Sequence, residues 1–372
     1  MSLLTRAAEL KPELVHYATS GRFATELRKV LDRFYAAGPP ADEANAALPV
    51  DYFVLQHPLP GGDTVLDRFV ADHPELTERE RELLLGWKHV VEGIFEVREV
   101  EARAVVLLNL VDELTYRTFS DLGKGAFDHL EPGMFVVGRL VPLGQDWLIS
   151  CPPAVHTAAM RAQLASAAAH TALANPALVF RNPEILSRAR LLQAEQRRCF
   201  VAYFGADQFV AHGSEVAERL AGYLAYQADR LGGPRPGPVS LPEHVTRAES
   251  VGLIFDEVDG LGYYADFAAL EEVFADPRLL VKPRYRELLS GYLRGDAVSP
   301  VPIRRLAARD PEKAGAVFAR LLNRKGFRWE RSGEALLRSH KPGYFAAERL
   351  PTVTPITRVI AEHLGEPYDA AA

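Results

Sequence analysis

The chain predicts a mainly helical α+β protein with a helical N-terminal part, a small central β-barrel and a helical C-terminal domain. Three observations carry that prediction. Residues 3–37, and most of the chain after 152, place apolar residues at helical spacing. Residues 93–151 instead hold five short β-rich runs separated by turns. Beyond Asp276, prolines at Pro277, Pro283, Pro300, Pro302, Pro311 and Pro342 cut the helical stretches into short pieces.

Composition sets the class. At 372 residues the chain is too long for one ordinary core, so two or three domains are expected. With 48% hydrophobic and 25% charged residues it has the balance of a soluble globular protein. It contains no run of about 18 apolar residues, and Met1-Ser2-Leu3-Leu4-Thr5-Arg6 lacks the apolar core of a signal peptide. The expectation is a cytoplasmic protein without a membrane segment. Cys151 and Cys199 are too few for a zinc site and read as buried thiols.

In the N-terminal part, Leu4, Ala7, Leu10 and Leu14 form one helical stripe, which Phe23, Leu27, Val30, Leu31 and Phe34 resume after Gly21. Gly38-Pro39-Pro40 ends the pair. A short helix is expected over residues 64–72. Thr77 and Glu80 then fit a capping box, each able to satisfy the other's backbone N–H at the head of a helix through Leu83, Leu84 and Trp87.

The pattern changes at Gly93. Residues 94–101 alternate apolar and charged, the period of a half-buried strand, and runs at 105–110, 114–120, 134–141 and 147–151 follow. Five strands in under about sixty residues resemble, at the level of fold alone, a small SH3-like or OB-like barrel. Such barrels often hold nucleic acid or peptide, but Phe95, Tyr116, Phe119, Phe135 and Trp147 all fit a core, which favours a structural role.

Helices are expected again over 155–174, from Asn182-Pro183 to about 204, and over 214–231 with Ser214 as cap. The run Gly232-Gly233-Pro234-Arg235-Pro236-Gly237-Pro238 sustains neither helix nor ladder and reads as a linker. The expected divisions are therefore a helical region at 1–92, a barrel at 93–151, a helical connector at 152–232, a linker at 233–248 and an α+β C-terminal domain at 249–365 with an acidic hairpin, its glycine turn near Gly260, and basic helices. A last helix is expected over 354–364, with a frayed tail after Gly365.

Charge is distributed unevenly, and this is the main functional clue. The net charge of −6 excludes a uniformly basic nucleic-acid binder but permits one basic face. Residues 249–276 hold eight carboxylates and no Lys or Arg, whereas residues 278–349 hold seventeen Lys/Arg against seven Asp/Glu. Two readings stand for Arg284, Arg286, Arg304, Arg305, Arg309, Arg320, Arg324, Lys325, Arg328, Arg331, Arg338 and Lys341. They neutralise the acidic segment of the same chain, or they track the phosphates of a nucleic acid or another polyanion. Arg324-Lys325-Gly326-Phe327-Arg328-Trp329, with Arg331, Arg304 and Arg305, is the candidate binding set, Trp329 serving as a stacking surface.

Asp256, Glu257, Asp259 and Asp266 are the candidate metal ligands. A hard cation such as Mg²⁺ or Mn²⁺ needs oxygen ligands converging on one point. Neighbours on a strand face opposite ways, so only one of Asp256 and Glu257 can join Asp259. The alternative is that these carboxylates are turn residues or pair with the arginines that follow. The remaining motifs argue against familiar chemistries: there is no HExxH, no Gly-x-Ser-x-Gly elbow, no phosphate-binding glycine loop around Lys124, and no dinucleotide fingerprint. His212-Gly213-Ser214 places an imidazole at a helix start. The leading expectation is a non-enzymatic binding protein. Its alternatives are a metal-dependent enzyme on a phosphate-containing substrate and a scaffold that meets protein partners or its own second copy.

Overall fold

A computed structural model of the chain describes residues 2–36, 38–40, 43–123, 125–232, 236–295, 297–355 and 357–364. The expectations for Lys124, for 233–235 and for the tail after 364 lie outside these residues. The described chain forms two compact units, one within Met1–Asn182 together with Arg358–Leu364, the other within Pro183–Pro355. No described helix is long and apolar enough to cross a membrane.

The first unit begins with α1 (Leu3–Ala18), α2 (Ala24–Phe34), α3 (Glu43–Leu55), α4 (Val65–Asp72) and α5 (Glu78–Gly86). Of the stripe expected on α1, Ala7, Leu10 and Leu14 are at most 1% exposed and Leu4 is half-buried against the same core, while Ala18 extends the buried face. Thr77 and Glu80 make the expected capping box, the Thr77 N–H donating to Glu80 Oε2 at 2.7 Å. A second box, Thr64 with Asp67, opens α4.

Six strands follow: β1 (Val91–Val100), β2 (Ala104–Asn109), β3 (Thr115–Phe119), β4 (Phe135–Leu143), β5 (Asp146–Ile149) and β6 (Ala154–His156). The order β1-β2-β3-β5-β4 closes where β4 pairs with β1, with β3 and β5 parallel, so the first five strands form an OB-like barrel. β1 is long enough to pair with β2 on one side and β4 on the other, a bulge between Val97 and Glu99 bending it round. Phe95, Tyr116 and Val136 fill the interior, and alternation puts Phe135, next to Val136 and equally buried, on the opposite face of β4. The Tyr116 hydroxyl donates to Asp112 Oδ2 at 2.7 Å, which satisfies both buried groups. α6 (Arg161–Ala174), the short α7 (Pro176–Val179) and the late α17 (Arg358–Leu364) complete this unit.

The second unit contains α8 (Pro183–Phe204), β7 (Gln208–Ala211), α9 (Gly213–Leu231), α10 (Glu243–Thr246), β8 (Val251–Asp256) and β9 (Gly260–Ala265). Then come α11 (Phe267–Ala275), α12 (Pro283–Arg294), α13 (Val301–Arg309), α14 (Pro311–Leu321), α15 (Trp329–His340) and α16 (Pro342–Ala346). The described part of the linker, 236–248, lies inside this unit, because β7 before it pairs with β8 after it. β8 is the middle strand of three and divides two cores. Val251, Leu253 and Phe255 face the α8–α10 side, while Ile254 faces the α11–α15 side. That two-sided burial is why the run is continuously apolar.

One cap differs from expectation. α9 begins one residue early and His212 caps it, its Nδ1 accepting from the Ser214 N–H at 3.3 Å. Gly213 takes the first helical position because a Cβ there would lie 2.4 Å from the Val245 carbonyl oxygen.

Candidate functional site

The acidic hairpin is built by local rules. Val251–Asp256 and Gly260–Ala265 pair in register, Asp256 opposite Gly260, and the turn between them is closed by an aspartate. Asp256 Oδ1 accepts from the Val258 N–H at 2.9 Å and the Asp259 N–H at 3.1 Å. Gly260 adopts φ +68°, and a Cβ there would meet Thr352 Oγ1 at 2.2 Å, so both conformation and space require glycine. Gln193, buried on α8, pins the turn by donating to the carbonyls of Glu257 and Val258 at 2.9 and 3.1 Å.

The four candidate metal ligands stand in different surroundings. Both Asp259 oxygens accept from the Tyr344 hydroxyl at 2.9 and 3.0 Å, and Arg349 stands 3.9 Å away. Burial raises the Asp259 carboxyl, and the nearby Asp256 adds to that shift. Glu257 is exposed and lies 3.6 Å from Arg197. Asp266 sits at the start of α11 in the left-handed region and makes no capping bond. Among the described residues no three acidic, His or Cys side chains form a metal-binding group.

The acidic and basic segments meet in part. Arg305 donates to both Asp207 oxygens at 2.9 Å. With help from Arg197 it holds the Asp207 carboxyl below the usual carboxylate range. Arg304 pairs with Glu334 at 2.6 Å, Arg309 with Glu271 at 2.7 Å, Arg338 with Glu334 at 3.4 Å, and Arg284 with Glu249. Arg286 and Lys341 spend their charge on backbone carbonyls, Arg286 on Leu321 at 3.1 Å and Lys341 on Val298 at 2.6 Å. Arg304, Arg305, Arg338 and Arg349 also share the wall of a cavity of about 380 Å³ with Asp256 and Tyr344.

Five of the twelve cations stand apart. Arg320, Arg324, Lys325, Arg328 and Arg331 are exposed, and among the described residues their side chains make no hydrogen bond or ion pair. Arg320 is near enough to Asp276 to help lower its carboxyl, a shift due first to Arg278. Arg324, Lys325 and Arg328 lie on the connection from α14 to α15, with Arg320 in the last turn of α14 and Arg331 in the first turn of α15, and the path of this connection is fixed. α14 ends in a Schellman motif: the Arg324 N–H donates to Ala319 O at 2.8 Å and the Asn323 N–H to Arg320 O at 3.3 Å, with Asn323 at φ +51°. Gly326 turns the chain at φ +78°, and Phe327, 8% exposed, anchors it against Phe318. Gly315 on α14 lets the backbone of 327–329 pass close, its missing Cβ being 3.3 Å from Phe327 O. The connection is therefore a seated tip that holds four charged side chains outward, with Arg320 at the end of the helix below it.

Trp329 does not belong to that outward set. Its ring stacks on Phe318, centroids 5.1 Å apart at 28°, and folds over Gly333 of its own helix. It supports the tip from beneath. Arg304 and Arg305, also in the expected set, are committed to carboxylates as described. No family model, curated protein or solved structure matches this chain.

Proposed function

We propose that the protein binds a polyanion, a nucleic acid being the leading case, through the tip formed by Arg320, Arg324, Lys325, Arg328 and Arg331. One observation carries the reading: among the described residues the side chains of these five cations make no hydrogen bond or ion pair, in a unit whose other arginines are largely paired. Within 320–331 the five face one carboxylate, Glu330. An exposed cluster of that kind repels itself, and phosphates that enter it release condensed counterions, which drives association. The rigid Schellman turn and the Phe327 anchor limit the ordering cost on binding. The buried aromatics leave contact to charge, so the expected recognition is of backbone phosphates with little base preference.

The test is fluorescence anisotropy with a short oligonucleotide and two variants. Replacing Arg324, Lys325 and Arg328 by Ala is expected to weaken binding by more than about tenfold at low salt. Arg284→Ala with Arg309→Ala removes two exposed but paired cations of the same unit and is expected to change affinity little. Equal losses in both variants, or none in the first, would defeat the proposal.

A further inference from the structure

Two hydrophobic clusters meet in the first unit without closing on each other. One, from α1–α5 and the outer face of β4 and β5, includes Leu14, Val54 and Trp87; the other, from inside the barrel, includes Leu107, Phe127 and Val136. These residues together line a cavity of about 510 Å³. Close-packed interiors hold few voids larger than a water molecule. Small-molecule sites, in contrast, are mostly apolar clefts of roughly 300–1,000 Å³ with a few placed polar groups. Exposed Leu122 and His129 belong to the same wall, so the cavity reaches the surface beneath the segment joining β3 to β4.

The polar groups in the wall say what kind of molecule fits. The charged ones are already matched. Lys11 Nζ donates to Asp121 Oδ2 at 2.8 Å and to Ile149 O at 3.1 Å. Asp51 accepts from Arg139 Nε at 2.6 Å and from the Ser150 hydroxyl. The cavity therefore offers no spare charge to an ion. One donor is unmatched: Trp87 is 2% exposed, and its indole N–H has no acceptor among the described residues. That N–H is closed off from water, so Trp87 presents the body of its ring, and not its donor, to the cavity.

We propose that this cavity binds a neutral, mainly apolar small molecule. The site lies in the first unit and is independent of the polyanion reading, which rests on the second.

The full chain is titrated with Nile red, a neutral dye that bears a ring carbonyl. Saturable one-to-one binding with a rise in emission is expected. Ala47→Phe and Val50→Phe, each placing a ring in the cavity from α3, are expected to weaken it by roughly tenfold or more. A readout without substitution is methanethiosulfonate modification of Cys151, which also lines the wall. It is expected to slow as Nile red saturates the wild-type chain. Absence of saturable binding, wild-type affinity in both Phe variants, or an unprotected Cys151 overturns the site.

Discussion

Replacing Gly333 by Ala reverses the usual sign of a helix substitution. Within a helix, alanine ordinarily stabilises by about 1 kcal/mol over glycine, because glycine loses more backbone freedom on folding. Gly333 lies within α15 and is buried, and a Cβ there would come within 2.4, 2.6 and 2.7 Å of three Trp329 ring carbons. Contacts that short force the ring to move, and the ring is held from the other side by Phe318 at 5.1 Å. Overpacking of this kind costs about 1–3 kcal/mol, so after the propensity gain Gly333→Ala is expected to destabilise the second unit by up to about 2 kcal/mol. Urea unfolding followed by tryptophan fluorescence and circular dichroism reads this as a lower midpoint with an unchanged slope. The cause is isolated by a double-mutant cycle: in a Trp329→Leu background the same alanine should regain its stabilising sign. A stabilising Gly333→Ala in the wild-type background would refute the packing argument, and with it the view that Trp329 seats the tip.

Two further predictions concern the first unit. Arg139, 2% exposed, donates to Asp51, to Glu92 at 2.7 Å and to Gln56 at 2.6 Å. Arg139→Met strands the Asp51 carboxylate with only the Ser150 hydroxyl and is expected to cost about 3–5 kcal/mol. Adding Asp51→Leu should recover much of that in thermal unfolding; a single-variant cost below about 1 kcal/mol contradicts it. Burial pushes the Asp112 carboxyl up to about 6 despite bonds from Leu114 and Tyr116. The folded chain therefore keeps a proton that the unfolded chain, titrating near 4, releases. That contribution is fully present below about pH 4 and is lost as pH rises to about 6, a fall of about 3 kcal/mol. Asp112→Asn lacks this slope, so the wild-type stability relative to the variant should decline across that window. A pH-independent difference would exclude it.

Much of the fold was legible because it rests on short-range pattern. The five barrel strands, the hairpin, the Thr77–Glu80 box and the α1 stripe each follow from spacing within ten residues. The candidate site was legible only as a charge excess. Which arginines are spoken for depends on partners far along the chain, Asp207 for Arg305 across 98 positions and Glu271 for Arg309 across 38. Composition carries no trace of such pairs. Trp329 read as a stacking surface because it sits among cations, yet Gly333 four residues on was the available signal, since a bare position one turn away invites the ring inward. Asn323 likewise marked the helix end that aims Arg324 and Lys325. The cavity beside Trp87 had no sequence signature, because it arises where two independently patterned cores fail to meet.

The most direct test of the central claim is the salt dependence of binding by the unmodified protein. Anisotropy titrations with short single-stranded RNA, single-stranded DNA and duplex DNA are repeated between low and moderate salt. With five cations at the tip and Glu330 among them, about four phosphates are expected to be neutralised. The logarithm of affinity should then fall against the logarithm of salt with a slope of about −3 on single strands and about −4 on duplex. Binding absent at the lowest salt, or a slope near zero, would contradict the assignment of the tip as a polyanion site.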